Sequence, residues 1–186
     1  MSYRDYRLAE ERRRAGPVWE RDRQFWQEVL PALPPAPQLP YVTAFDALTP
    51  PRFQRLVRRL DAAATKRLEA AAAEYNLPLA TALNAAFAEV VAQWSAQRHF
   101  LLNIPTFLPP DDSFFLDPTT GNYTSNVLVA ADMQSGGFLT RARAFAQALT
   151  QALQHRSYSG VRVLRDLHKR HGASLQPIAP VVLTNV

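Results

Sequence analysis

Cysteine is absent from the chain, which excludes disulfides and thiolate metal sites. Glycine is scarce, six in 186 residues. With no Walker loop, no Gly-rich dinucleotide turn and no G-x-S-x-G elbow, that scarcity argues against a backbone phosphate cradle and against a serine-hydrolase nucleophile. Lysine occurs only as Lys66 and Lys169, so the formal net charge of +5 rests on arginine. No apolar run approaches the roughly 20 residues of a spanning helix. The opening "MSYRDYRLAEERRRAG" is too charged for a secretory signal. The expectation is a cytoplasmic protein with no membrane partner.

The chain does have the apolar content of a folded domain, 47% hydrophobic and 10% aromatic, enough for a core at this length. Its positive charge alternates with acids along helix faces, as in "AEERRR" and "WERDRQ", and reads as solvated helix surface with no nucleic-acid partner. Residues 3 to 14 and 18 to 30 read as helices broken at Gly16-Pro17. Five prolines in residues 30 to 40 make a stiff extended stretch, which serves as a ligand strip for a proline-binding module, a spacer, or a strap between lobes. Residues 52 to 60 alternate like a strand. Asp61 then caps a helix to about Tyr75, and Pro78 opens another. In that second helix Leu79, Leu83, Ala86, Phe87, Val90 and Trp94 share one stripe and are expected in the core. Buried strands are expected over 99 to 108 and 123 to 132, helices over 138 to about 155 and 159 to 171, the latter closed by Gly172. "APVVLT" is expected as a last strand. Strands alternating with helices give an α/β chain.

Candidate chemistry is thin on the residues alone. His168 and His171 stand three apart on one helix, but no acid joins them at ligand spacing, so no metal site is expected. His99 and His155 read as structural. These features by themselves give an α/β domain without a function.

Four segments in one order add a family. "LPPAPQLP", Leu33 to Pro40, resembles the L-P-x-x-P-x-L-P signature of heterocyclization domains, a branch of the condensation domains of nonribosomal peptide synthetases. "LNAAFAEVVAQWS", Leu83 to Ser95, is similar to the helix that follows. "GNYTSNVLVAAD", Gly121 to Asp132, resembles G-D-F-T-x-L-x-L-L-x-x-D, and "PVVLTN", Pro180 to Asn185, resembles P-V-V-F-T-S. "HRSYSGVRVLRDLHKRHG" and "RDYRLAEERRR" also look like the family, so the resemblance runs over essentially the whole chain. The H-H-x-x-x-D-G motif of amide-forming condensation domains is absent.

The resemblance implies a partial chloramphenicol-acetyltransferase-like two-lobed fold. Residues 1-30 would end the first lobe, 31-51 form the connector, and 52-186 make up much of the second lobe. It implies an internal fragment of a longer domain whose D-x-x-x-x-D motif lies upstream and whose T-P-Q-V-x-L-D segment lies downstream, and a chain inactive alone. It implies amide formation followed by cyclodehydration of Cys, Ser or Thr to thiazoline or oxazoline, commonly for siderophores. Peptidyl carrier proteins and flanking synthetase segments are the implied partners. No cofactor is bound by the chain itself, and phosphopantetheine is carried by the carriers.

Thr184 matches the threonine of P-V-V-F-T-S, implied to be catalytic; without the resemblance it reads as an ordinary β-former at a strand end. Thr124, Ser125, Asn122 and Asn185 are implied substrate-channel residues. Asn122 replaces the family's Asp and Asn185 its Ser, while Tyr123 and Asn126 stand for Phe and Leu. Asn122 cannot ionise, but it can hold a turn as Asp does. Tyr158, Ser159 and Gly160 match H-R-x-Y-S-G and read as a helix-start cap with a packing Tyr. Two alternatives remain. One is a carrier-docking module without catalysis; the other is one chain of a split domain.

Overall fold

The computed structural model describes residues 3–44, 47, 50, 52–106, 122–172 and 177–185. Two helices open it, α1 (Tyr3–Arg13) and α2 (Pro17–Val29), the second starting on the proline the sequence marked. A single 3₁₀ turn, Leu30–Ala32, leads into the proline stretch.

That stretch is extended and anchored. Pro35 O accepts the Leu101 amide (2.9 Å), Gln38 O that of Ala96 (3.0 Å), and Ala36 O the Gln97 side chain (2.9 Å). Proline leaves carbonyls available while removing donors, so the segment runs as an acceptor strip along its neighbours. The stretch is thus held against residues 96–101 along its length.

Residues 52–60 do not form the expected strand. They carry no secondary structure and every one is exposed, with Phe53 at 94% and Leu56 at 85%. Alternation is only a potential for pairing, and among the described residues no ladder partner lies beside them. Asp61 does cap α3 (Ala62–Glu74), accepting the Ala64 amide at 2.7 Å. Asn76, in the left-handed region (φ 52), closes that helix.

Helix α4 (Leu79–Trp94) overturns the expected core stripe. Its buried side chains are Asn84, Ala85, Ala88, Val91 and Ala92, whereas Leu83, Val90 and Trp94 are exposed. The small-residue face is the one turned inward, because alanines let the helix approach its neighbours closely. Replacing Trp94, 67% exposed, by Ser is expected to change folding free energy by less than about 1 kcal/mol. A core aromatic would cost about 3–5 kcal/mol; a urea melt separates the two.

Strand β1 (His99–Thr106) pairs antiparallel with β2 (Ser125–Asp132), His99 opposite Asp132 and Thr106 opposite Ser125. Phe100, Leu101 and Leu102 are all fully buried, as are Val127, Leu128 and Val129. Consecutive burial means that both faces are covered. Helices α5 (Phe138–Gln154) and α6 (Gly160–His171) pack on β2. Gly172, with φ 76, ends α6 as expected.

The other edge of β1 takes residues 180–185. Asn103 donates to Val181 O (3.1 Å) and accepts from Leu183 (2.9 Å), a parallel bridge centred on Val182. The expected last strand is therefore a single bridge on β1. One core cluster joins Trp26 of α2, Leu30 of the 3₁₀ turn, α4, both strands, α5, α6 and Leu183.

Candidate active-site cleft

A cleft of about 780 Å³ opens between α1, the start of α2, the ends of β1 and β2, and the start of α6. Thr124 and Ser125 line it together with Asn122, Thr106 and Ser159. Asn122 holds its own turn: its Oδ1 accepts the Thr124 amide at 3.0 Å, and its carbonyl accepts the Tyr3 hydroxyl at 3.0 Å. That is the Asx turn an Asp would make. Tyr3, Tyr6 and Tyr123 stack edge and face around it, with centroids 4.9–5.9 Å apart. Burial, with Glu10 adding to it, pushes the Tyr6 hydroxyl up, so it stays neutral across the physiological range.

The sequence-marked residues fall in two places. Thr184 is exposed beside Leu183, and Asn185 donates to Ala80 O (3.3 Å) and Asn84 Oδ1 (3.1 Å) of α4. Neither Thr184 nor Asn185 is among the residues lining the cleft. Asn185 thus satisfies buried Asn84, a structural contact the motif reading missed. The spacing D-x-x-x-x-D, expected upstream, does occur once, from Asp112 to Asp117. Both lie outside the described residues, as do 107 and 108 of the expected first strand and 173–176.

The cap reading for Ser159 is corrected. It occupies the N-cap position of α6 but its side chain makes no cap hydrogen bond. Tyr158 does pack, 6% exposed and edge-on to Trp19 at 5.3 Å. Its hydroxyl donates to Asp166, and burial with that acceptor raises it to about 12. The sign follows: the fold favours the neutral phenol, so this stabilisation is full below about pH 10 and is lost as pH rises towards 12. Absorbance of the phenolate near 295 nm is expected to rise together with alkaline unfolding.

Gly160 explains its own presence. A Cβ there would lie 2.6 Å from the Asn126 carbonyl and 2.9 Å from its side-chain Oδ1. Asn126 in turn donates to Asn103 Oδ1 at 2.8 Å, while its own Oδ1 is buried without a partner. The glycine lets α6 lie directly on β2 and so sets Ser159 at the cleft wall.

Below the cleft a buried carboxylate ties α2 to the α5–α6 turn. Asp22, 1% exposed, accepts from Arg21 (2.7 and 2.9 Å), from the Ser157 amide (3.0 Å) and hydroxyl, and faces His155 Nδ1 at 3.1 Å. Burial alone would raise its pKa. The bonds from Ser157, Arg21 and His155 outweigh that and hold the carboxyl below its ordinary range. Phe25 stacks on His155 at 3.7 Å, and Trp26 donates to the His155 carbonyl at 2.9 Å. Sequence reasoning placed Asp22 on the wet side of α2; no pattern in the sequence marks it as buried. Among the described residues no group of His, Asp and Glu could hold a metal, and no helix is long and apolar enough to cross a membrane.

The mixed helix and sheet core matches the chloramphenicol-acetyltransferase-like fold of condensation domains. The condensation-domain family model matches residues 1–185, and the chain belongs to that family. Its relatives are of the heterocyclization type. It is 38% identical to pyochelin synthetase PchF of Pseudomonas aeruginosa over 99% of this chain and 10% of that protein. It is 37% identical to phenyloxazoline synthase MbtB of a Mycobacterium species over 99% of this chain and 16% of the other. Among solved structures, the EpoB cyclization-docking bidomain of Sorangium cellulosum superposes with a TM-score of 0.85 at 33% identity, over 99% of this chain and 37% of that one. The chain therefore spans a tenth to about a third of the lengths of these proteins.

Proposed function

We propose that the chain is part of a heterocyclization domain. In this reading the amine of a carrier-bound Cys, Ser or Thr attacks an upstream acyl thioester, forming the amide and releasing the upstream carrier thiol. The side-chain thiol or hydroxyl then adds to the amide carbonyl, and loss of water leaves thiazoline or oxazoline. Such steps need a group that exchanges protons at the carbonyl oxygen and one that orients it. Thr184, whose hydroxyl both donates and accepts, is the proposed orienting group, with Thr124, Ser125 and Asn122 along the substrate channel. The observation that carries the reading is similarity across nearly the whole chain to ring-forming synthetases. Peptidyl carriers bearing phosphopantetheine are the proposed partners, the cytoplasm the proposed location, and 1-30, 31-51 and 52-186 the proposed division into lobe end, connector and second lobe.

The 186 residues contain no T-P-Q-V-x-L-D segment, and no turnover is expected from them alone with loaded carrier proteins; ring formation under those conditions would refute this. Supplied with flanking segments of the family, the chain is expected to support cyclization, and Thr184→Ala to lower it at least a hundredfold. A second reading, a carrier-docking module without catalysis, draws on the position of Thr184 outside the cleft. It predicts that Thr184→Ala leaves carrier binding unchanged and that no complementation restores ring formation.

A further inference from the structure

Of the acid and amide side chains among the described residues, Asp22 and Asn84 alone are buried. Asp22 holds the α5–α6 turn. Asn84 stands on the inward face of α4 beside Ala85 and Ala88, where an amide without partners is costly. Its Oδ1 accepts from Asn185 Nδ2 at 3.1 Å, across 101 positions of sequence, and the Ala80 carbonyl one turn earlier takes the same amide group at 3.3 Å. Asn185 replaces the Ser of the P-V-V-F-T-S motif that the chain resembles. A serine hydroxyl offers one hydrogen and an amide nitrogen two, so the residue at 185 is matched to the two acceptors on α4.

These bonds fix one side of Thr184. The other side is fixed by β1, where the Leu183 amide donates to the Asn103 carbonyl at 2.9 Å and the Leu183 side chain is buried. Thr184, itself exposed, is the single residue between the two anchors. Backbone held at both neighbouring positions has little freedom left with which to carry its hydroxyl elsewhere.

We propose that Asn84 is a positioning residue: through Asn185 it holds Thr184 at a set place beside β1. The catalytic consequence rests on the role proposed for Thr184; the anchoring does not. Misplacing an orienting group by about 1 Å can cost about a hundredfold in rate.

The test has two arms. In the first, ¹⁵N relaxation of the 186-residue chain compares wild type with Asn84→Ala. Alanine favours helix and leaves the exposed Asn185 amide to bond water, so the thermal midpoint is expected to move by less than about 4 °C. The backbone order parameter at Thr184 is expected to fall from about 0.85 to below about 0.6, with the β1 and β2 amides unchanged. Asn185→Ala, at an exposed position, is a second folded variant for which the same loss of order is expected. In the second arm the chain is supplied with flanking segments of the family. Asn84→Ala is expected to lower kcat for ring formation at least tenfold with KM within twofold, and adding Asn185→Ala to cost no more than either change alone. A merely structural role would instead make activity follow the thermal midpoint. An unchanged order parameter at Thr184 in either folded variant overturns the proposal, as does unchanged kcat where Thr184→Ala abolishes turnover. If wild type forms no ring with the flanking segments, the catalytic reading fails, and the relaxation arm decides the anchoring by itself.

Discussion

Asp22→Ala is expected to destabilise the fold by about 3 kcal/mol, the scale of breaking a buried hydrogen-bonded charge set, and to lower the thermal midpoint by about 10 °C. The carboxylate is nearly sealed from solvent and gathers donors from Arg21, Ser157 and His155. Its removal leaves the Ser157 amide without its acceptor at the turn that launches α6. Asp22→Asn keeps the shape but loses the charge and forces one amide N–H towards a donor, so a smaller loss of about 2 kcal/mol is expected. The pH dependence has a definite sign. A carboxyl held below its ordinary value contributes fully above about pH 4 and loses that contribution as acid protonates it in the fold. Wild type is therefore expected to lose stability below about pH 4 more steeply than Asp22→Asn. Urea melts between pH 3 and 7 check this, and parallel slopes for the two proteins would contradict it.

Gly160→Ala is expected to cost about 2–3 kcal/mol, the scale of overpacking, although alanine favours helices. The added methyl would meet the Asn126 carbonyl at 2.6 Å, and a backbone oxygen inside β2 cannot step aside. Helix α6 must lift, carrying Ser159 with it, so the cleft wall is expected to shift along with the loss of stability. Gly137→Ala is the control: nothing lies within 4 Å of its added carbon, and a cost below about 1 kcal/mol is expected. Asn126→Ala in the Gly160→Ala background removes the side-chain contact but leaves the carbonyl, so only partial recovery is expected. Full recovery would place the conflict in the side chain alone.

How far the sequence reached can be seen residue by residue. Asp61 and Gly172 announced a helix start and a helix end because caps are local: a side-chain oxygen or a positive φ acts within one turn. The runs "FLLNI" and "NVLVAA" announced buried strands because consecutive apolar residues only suit a layer covered on both faces. Ser159 misled, because a serine at an N-cap position need not cap; its hydroxyl is at the cleft wall instead. The stripe of Leu83, Val90 and Trp94 misled more seriously. Periodicity reports that a helix has an apolar face but not which face the neighbouring element takes, and here the alanines took the inside.

By itself the sequence determined the helix limits, the two central strands, the proline stretch as extended chain and, through ordered motifs, the condensation-domain family. Only the tertiary structure decided that Asp22 is buried, that Asn126 and Gly160 touch, that arginines from residues 7–14 and 156–165 share one cleft, and that Thr184 lies outside its lining. The first group depends on torsions and contacts within a few residues, which the local chain dictates. The second depends on pairs separated by more than thirty positions in sequence, whose meeting is fixed by how helices and strands pack and leaves no mark in either segment alone.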